Sequence, residues 1–282
     1  MKVGRSALPG VLAALQLSCA GARPPQRDSA FLHGTSGELH VSDGGEGPAV
    51  PVVFVHGLGS NLEAWRAPLE HLRRTRRAIA YDARGHGTSE PARDGVYSMP
   101  AMADDLDKVV TSLHVDRFWL VGHSMAGDVI SAYVGGHPEK VAGLVYIDAV
   151  GDLSKAPPEL KAYFNAPAPP GFGATEMRAA FTEMLGDKAK PTTRAQVLDS
   201  VAATRPEAFL AARRSMTEYS PTDDVARYTG PKVAIDAEGN DFAFGATKSF
   251  SIARRQTLPN VSHWLMLDDP DGFIAALDEV LK

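Results

Sequence analysis

The sequence predicts an α/β fold: a doubly wound, mostly parallel β-sheet flanked by helices, with an inserted helical lid. Short, wholly apolar runs recur along the chain, and helical patterns separate them. A wholly apolar strand is typical of a sheet that is covered on both faces, and strand–helix alternation indicates parallel strands joined by crossover helices. The alternation stops at about residues 151–229, where Pro- and Gly-rich stretches and helical patterns replace it. We interpret that segment as a lid over the carboxyl ends of the strands.

Composition indicates one globular unit rather than several. The chain has 282 residues, of which 44% are hydrophobic and 22% are charged, with a formal net charge of -5. This length suits a single core formed by residues 36–150 and 230–282, with residues 151–229 as the lid or cap. The slightly acidic balance gives no indication of nucleic-acid binding.

The N-terminal segment, residues 1–22, is predicted to be a signal peptide or a lipoprotein leader. A positive start is followed by an apolar stretch over 7–17 and by the small residues Ala20-Gly21-Ala22, which suit a cleavage site. Cys19 is the single cysteine and could instead carry a lipid. We therefore expect a secreted, periplasmic or envelope-attached protein, with membrane attachment only through such a lipid. Residues 23–35 are expected to be a flexible lead-in.

The elements follow from local patterns taken in order. Apolar or alternating runs bounded by turn residues predict strands. These cover residues 38–41, 51–55, 78–81, 118–121, 141–147, 232–235 and 255–258. Apolar residues at helical spacing predict helices. These cover residues 62–72, 99–113, 128–134, 177–185, 194–203, 206–219 and 271–281.

One strand runs directly into a helix through a short motif. The apolar run over 118–121 is followed by Gly122-His123-Ser124-Met125-Ala126-Gly127. A sharp strand-to-helix turn exposes its tip residue at the helix N-terminus, where backbone N–H groups and the helix dipole favour developing negative charge. This pattern predicts that Ser124 is the nucleophile of an elbow. The alternative is a helix-capping serine. Ala126 stands where the motif has glycine, and we interpret it as a tolerated variant.

A serine nucleophile needs a base and an oxyanion hole. His263 lies in a loop between the last predicted strand and the final helix, the place that the chain order Ser, acid, His assigns to the base. The alternative for His263 is a surface loop histidine. The backbone N–H groups of Leu58, after the 51–55 strand, and Met125, after the nucleophile, are the candidate oxyanion donors. No histidine pair has metal-ligand spacing, so we predict no metal and no cofactor.

Four motifs together resemble the α/β-hydrolase superfamily, from about residue 36 to the C-terminus. They are His56-Gly57, Asp82-x-Arg84-Gly85-His86-Gly87-x-Ser89, Gly122-His123-Ser124, and His263-Trp264-Leu265-Met266-Leu267 followed by Asp269-Pro270. The resemblance implies this fold and a catalytic triad. Motifs of this kind are specific for the fold and poor guides to the substrate.

The resemblance leaves the triad acid open. Many members carry it after the strand that follows the lid, but here Asn240 occupies the usual aspartate place and Asp241 lies one residue late. Other members carry it after the strand next to the elbow strand, which is Asp148 in this chain. Because that strand neighbours the nucleophile's own, a reach to His263 is reasonable, and we favour Asp148 over Asp241. Asp152 is a third candidate. The alternatives are that Asp148 caps a helix or loop and that Asp241 forms an Asx turn.

The residue at the elbow narrows the chemistry. Some members of the superfamily carry aspartate there, and serine favours acyl transfer instead. We therefore expect a serine hydrolase that cleaves a small, apolar carboxylic ester or lactone through an acyl-enzyme on Ser124. The alternatives are a carbon–carbon bond hydrolase or cofactor-free perhydrolase of the same fold, and a weakly hydrolytic ligand-binding protein. Apolar residues suggest the pocket lining. They are Phe172, Met177, Phe181, Met184, Met216, Tyr219, Trp264 and Met266.

Overall fold

The computed structural model describes residues 29–282, and within them an eight-stranded sheet dominates. The strands are β1 (Ala30–His33), β2 (Glu38–Gly44), β3 (Val52–Val55), β4 (Ala78–Tyr81), β5 (Phe118–His123), β6 (Val141–Ile147), β7 (Lys232–Ala237) and β8 (Arg254–Leu258). Their order across the sheet is β1-β2-β4-β3-β5-β6-β7-β8. Pairings involving β2 are antiparallel and those from β4 to β8 are parallel, so the predicted mostly parallel sheet is confirmed.

Helices cover both faces of the sheet and fill the long connection between β6 and β7. They are α1 (Arg66–Leu72), α2 (Met99–Ser112), α3 (Ala126–Gly136), α4 (Pro158–Asn165), α5 (Ala174–Leu185), α6 (Pro191–Ala203), α7 (Pro206–Glu218), α8 (Thr222–Arg227), α9 (Ala246–Ser249), α10 (Leu265–Asp268) and α11 (Pro270–Val280). We call α4 to α8 the helical insert. No helix within residues 29–282 is both long and apolar enough to span a membrane.

The central strands are buried on both faces because alternate residues enter two separate cores. Val53 and Val55 of β3 belong to a core with α2 and α3. Val52 and Phe54 belong to a second core with α1 and α11. All four side chains are at most 1% exposed. This two-sided burial explains why the strands read as unbroken apolar runs.

The flexible lead-in expected over residues 23–35 is wrong at its C-terminal end. Residues 30–33 form β1, which pairs antiparallel with β2 from Ala30 opposite Val41 to His33 opposite Glu38. β1 is an edge strand with largely exposed side chains, so its order comes from backbone pairing, and its apolar run of three residues is too short to predict a strand. The predicted leader at 1–22 and the rest of the lead-in, 23–28, lie outside the described residues.

Candidate active site

Ser124 lies at the turn between β5 and α3 with a φ of 54°. A positive φ is strained for a residue with a side chain, and such strain persists only where neighbouring contacts fix it. Here the Ser124 N–H donates to the Ile147 carbonyl at 3.1 Å, and the Val150 and Gly127 N–H groups donate to the Ser124 carbonyl at 3.0 and 2.9 Å. The turn is therefore held on both sides, with the serine at the N-terminus of α3.

Glycines allow the chain to close around Ser124. A Cβ at Gly57 would lie 2.9 Å from the Ser124 Cβ, and one at Gly127 would lie 2.3 Å from the Val150 carbonyl oxygen. At Gly122 it would lie 2.8 Å from the Ala126 carbonyl oxygen. A side chain would therefore clash at positions 122 and 127. The methyl group of Ala126, in contrast, fits and is fully buried. This explains the departure from the usual motif at 126.

Asp148 and His263 are joined by a hydrogen bond. The Asp148 Oδ2 lies 2.8 Å from the His263 Nδ1, and Oδ1 accepts from the Ala237 N–H at 3.1 Å. Asp148 directly follows β6 at a φ of 43°, and its own N–H donates to the Ile235 carbonyl at 3.0 Å. Burial favours the neutral acid, but the His263 imidazole and the N–H donors outweigh it, so the pKa of Asp148 lies below its ordinary value.

The other two candidate acids lie elsewhere. The Asp241 side chain is 74% exposed and pairs with Lys248 at 2.8 Å. Asp152 is buried and accepts from the Ser154, Ser220 and Thr222 hydroxyls. The structure therefore brings Asp148 to His263 and places neither Asp241 nor Asp152 there.

His123 holds the loop that carries His263, a contact that the sequence did not indicate. Its Nε2 lies 2.9 Å from the His263 carbonyl oxygen, and the two rings are 4.6 Å apart. Because a carbonyl only accepts, Nε2 carries the proton. Burial and the neighbouring His263 lower the pKa of His123 to about 3, so its ring is neutral at physiological pH. A neutral donor fixes the loop without adding charge beside His263.

The loop after β3 is braced by a second buried histidine. The His56 Nδ1 donates to the Gly57 carbonyl at 2.8 Å, and its Nε2 accepts from the Ala83 N–H at 2.9 Å. Burial lowers the pKa of His56, which agrees with this neutral tautomer. The brace positions Leu58, which lines the same cavity as Ser124 and Met125. The two proposed oxyanion donors thus belong to segments that border the serine.

A cavity of about 580 Å³ opens onto these residues. The sheet side contributes Leu58, Ser124, Met125, Asp148, His263 and Trp264 to its wall. The helical insert contributes Phe164, Phe172, Met177, Phe181, Met184, Phe209 and Met216. Tyr219 and Met266, expected in the lining, do not border the cavity, and the Tyr219 hydroxyl donates to Asp224 instead. Within residues 29–282, no group of three or more His, Cys, Asp or Glu side chains could hold a metal ion.

Known proteins resemble this chain in both sequence and fold. Residues 50–229 match the family model described as the α/β hydrolase fold. A non-heme chloroperoxidase of Kitasatospora aureofaciens is 43% identical over 101 residues, which is 36% of this chain and only 36% of that protein. An sn-1-specific diacylglycerol lipase of Danio rerio is 24% identical over 260 residues, covering 84% of this chain and 80% of the lipase. The structure of a thermophilic esterase from Thermogutta terrifontis superposes with a TM-score of 0.74 at 26% identity, covering 90% and 98% of the two chains.

Proposed function

Because the chain belongs to the α/β-hydrolase fold family and is a hydrolase, we propose that it cleaves a small, apolar carboxylic ester or lactone through an acyl-enzyme on Ser124. One observation carries the proposal: Ser124 sits at a strained turn in the same apolar cavity as a hydrogen-bonded Asp148–His263 pair. A serine hydroxyl is a weak nucleophile, and an adjacent base oriented by an acid is what activates it.

In the proposed reaction, His263 Nε2 takes the proton from the Ser124 hydroxyl as the oxygen attacks the carbonyl carbon. Asp148 keeps the proton of His263 on Nδ1, which leaves Nε2 free to act as the base. No hydrogen bond joins Ser124 to His263 among the described residues, and we expect one to form when substrate fills the cavity.

The remaining steps use groups of the chain and water. The N–H groups of Leu58 and Met125 stabilise the tetrahedral oxyanion. Collapse of the intermediate expels the alcohol, which receives its proton from His263. Water, deprotonated by His263, then attacks the acyl-enzyme; the second tetrahedral intermediate collapses to release the acid, and Ser124 recovers its proton from His263.

Labelling with a fluorophosphonate probe followed by mass spectrometry tests the proposal. We expect covalent labelling at Ser124 and hydrolysis of short p-nitrophenyl esters, both lost in Ser124→Ala and His263→Ala. Ser112→Ala, which alters an exposed serine at the end of α2, is the matched control and retains both. A wild-type protein that neither labels nor hydrolyses any ester contradicts the proposal, and supports a ligand-binding protein if the cavity still binds esters.

A second reaction is tested alongside the first because of one similarity. The 43% identical segment belongs to a protein named a non-heme chloroperoxidase, which favours a perhydrolase over a carbon–carbon bond hydrolase as the second candidate function. In that reaction the acyl-enzyme passes its acyl group to hydrogen peroxide in place of water. Peracid formation from acetate and peroxide at a rate above ester hydrolysis would establish it. A vinylogous diketone as substrate tests the carbon–carbon bond hydrolase.

We also propose that residues 1–22 direct export. Determination of the mature N-terminus tests this: a start at Cys19 indicates lipid attachment, and a start near Arg23 indicates an ordinary signal peptide. An intact N-terminus on the protein recovered from its native cell would contradict export.

A further inference from the structure

One helix of the insert presents a cation to the otherwise apolar part of the cavity. Phe209, Arg213 and Met216 of α7 all line it. Their spacing of four and three residues places them on one face of the helix. Phe209 and Met216 are each 4% exposed, so Arg213 shares its helix face with two buried apolar side chains.

The charge of Arg213 has no counter-charge in the described part of the chain. Its Nη2 donates to the carbonyl oxygen of Ala166 at 2.7 Å, and its buried Nε has no partner within residues 29–282. The titratable groups that act on it are Tyr163 and Arg214, and no carboxylate is among them. Burial lowers the pKa of Arg213, but a guanidinium remains protonated at physiological pH.

The acids that border the cavity are already engaged or face solvent. Asp148 is bonded to His263, Asp236 to Arg255 at 2.7 Å, and Glu176 accepts from the Gly173 N–H at 2.9 Å. Asp187 and Glu238 are exposed. Arg213 is half-buried, and its bond to Ala166 leaves the buried Nε without a partner among the described residues. An anionic group of a bound molecule would supply that partner.

We propose that Arg213 binds a carboxylate on the acyl part of the substrate, away from the carbonyl that Ser124 attacks. The substrate class is then an ester or lactone of a dicarboxylic or otherwise anionic acid, with its carbon chain against the apolar wall. This rests on the proposed function and narrows it. The planar fork of a guanidinium suits a carboxylate, and such charge-assisted hydrogen bonds are among the strong ones.

Matched pairs of esters test the proposal. The p-nitrophenyl hydrogen esters of succinic, glutaric and adipic acid carry a terminal carboxylate. The p-nitrophenyl esters of butyric, valeric and hexanoic acid have the same chain lengths without it. The measured quantity is the ratio of kcat/KM for the anionic ester to that for its neutral partner, in wild type, Arg213→Gln, Arg213→Lys and the control Arg214→Gln.

We expect Arg213→Gln to lower this ratio roughly ten- to hundredfold for at least one chain length. Arg213→Lys should restore part of it. Arg214→Gln, on an exposed neighbour, should leave it unchanged. If Arg213 serves only to anchor Ala166, Arg213→Gln lowers kcat/KM equally for the anionic and the neutral ester. The ratio then stays constant, which overturns the proposal. An unchanged ratio with unchanged rates overturns it as well.

A binding experiment separates this proposal from the hydrolase proposal. Calorimetry measures the affinity of Ser124→Ala for the monomethyl ester of glutaric acid, with and without Arg213→Gln. Weaker binding with Arg213→Gln supports the arginine site even if wild type hydrolyses no ester. Equal binding by both proteins overturns it even if Ser124 is an active nucleophile.

Discussion

The sheet and the helical insert contribute to the cavity in different ways. The sheet places Ser124 and Asp148 through the backbone: both have positive φ, and both are fixed by main-chain hydrogen bonds to neighbouring strands. The insert contributes side-chain walls from α4, α5 and α7. The proposed reaction would therefore depend on backbone geometry at the sheet edge, whereas substrate choice would depend on side chains that can change without disturbing it.

The two regions meet at a clamp formed by Asp152. Its carboxylate accepts from Ser154 at the start of the insert and from Ser220 and Thr222 near the end. Its N–H donates to the Ser249 hydroxyl on the sheet side at 2.9 Å. Burial opposes ionisation of Asp152, but the three hydroxyls and Lys155 outweigh it and lower its pKa to about 2. The clamp thus fixes both ends of the insert to the sheet.

The largest expected effect is on the sheet side, at Asp148, the proposed acid. Asp148→Asn should lower kcat/KM on p-nitrophenyl esters by about a hundredfold or more, because the amide no longer holds His263 in the proton arrangement that a base needs. Asp241→Asn is the matched change at the exposed candidate and should stay within about twofold of wild type. The reverse order of the two losses would move the acid role to Asp241.

The next effect should appear at the clamp. Asp152→Ala removes the acceptor of three hydroxyls, of which those of Ser154 and Thr222 are half-buried, and we expect a loss of about 1–3 kcal/mol in the free energy of unfolding. Urea unfolding at pH 7 measures it, with the exposed insert residue Asp187→Ala as the control. Because the folded pKa of Asp152 is depressed, its contribution is present above the unfolded value near 4 and lost as pH falls toward about 2. A loss below 1 kcal/mol would show that the insert is held by other contacts.

A smaller, pH-dependent effect on the free energy of unfolding is expected at Asp128, which lies on α3 close enough to Asp152 to be affected by its charge. The side chain is fully buried and neither carboxylate oxygen has a partner among the described residues. Burial, and then the charge of Asp152, raise the pKa of Asp128 well above its ordinary value. The folded protein therefore holds a proton that the unfolded chain releases near pH 4, so stability falls as pH rises above that value.

Asp128→Asn removes this proton linkage and nearly preserves the shape. Relative to the variant, wild type should lose up to about 1.4 kcal/mol per pH unit between pH 4 and the folded pKa of Asp128. Urea unfolding at several pH values gives the two slopes. Parallel slopes would mean that Asp128 ionises in the folded protein as it does in the unfolded chain.

The difference between the buried sheet and the helical insert also determines what the sequence can predict. Its apolar runs predict the strands at 78–81 and 141–147 with the bounds that the structure has, because two-sided burial leaves an unbroken apolar pattern. The choice between Asp148 and Asp241 depends on three-dimensional proximity, since both follow strands that are neighbours in the sheet. The predicted strands and helices do not include β1, α4, α8, α9 or α10, each of which has eight residues or fewer. The Asp152 clamp joins residues up to 97 positions apart, and no local pattern marks such contacts.

The smallest expected effect lies at the outer wall of the insert. Met184 lines the cavity, yet its side chain is 53% exposed, so it borders the entrance rather than the interior. Met184→Ala should shift the preference between short and long neutral p-nitrophenyl esters by roughly two- to fivefold, since losing a partly exposed apolar contact costs well under the ~1.5–3 kcal/mol of a fully buried side chain. The control is Phe31→Ala, an exposed apolar residue on β1 that does not border the cavity. If Met184→Ala instead abolished hydrolysis of every ester, the insert would be shaping the reaction itself, and the division between sheet chemistry and insert selectivity would fail.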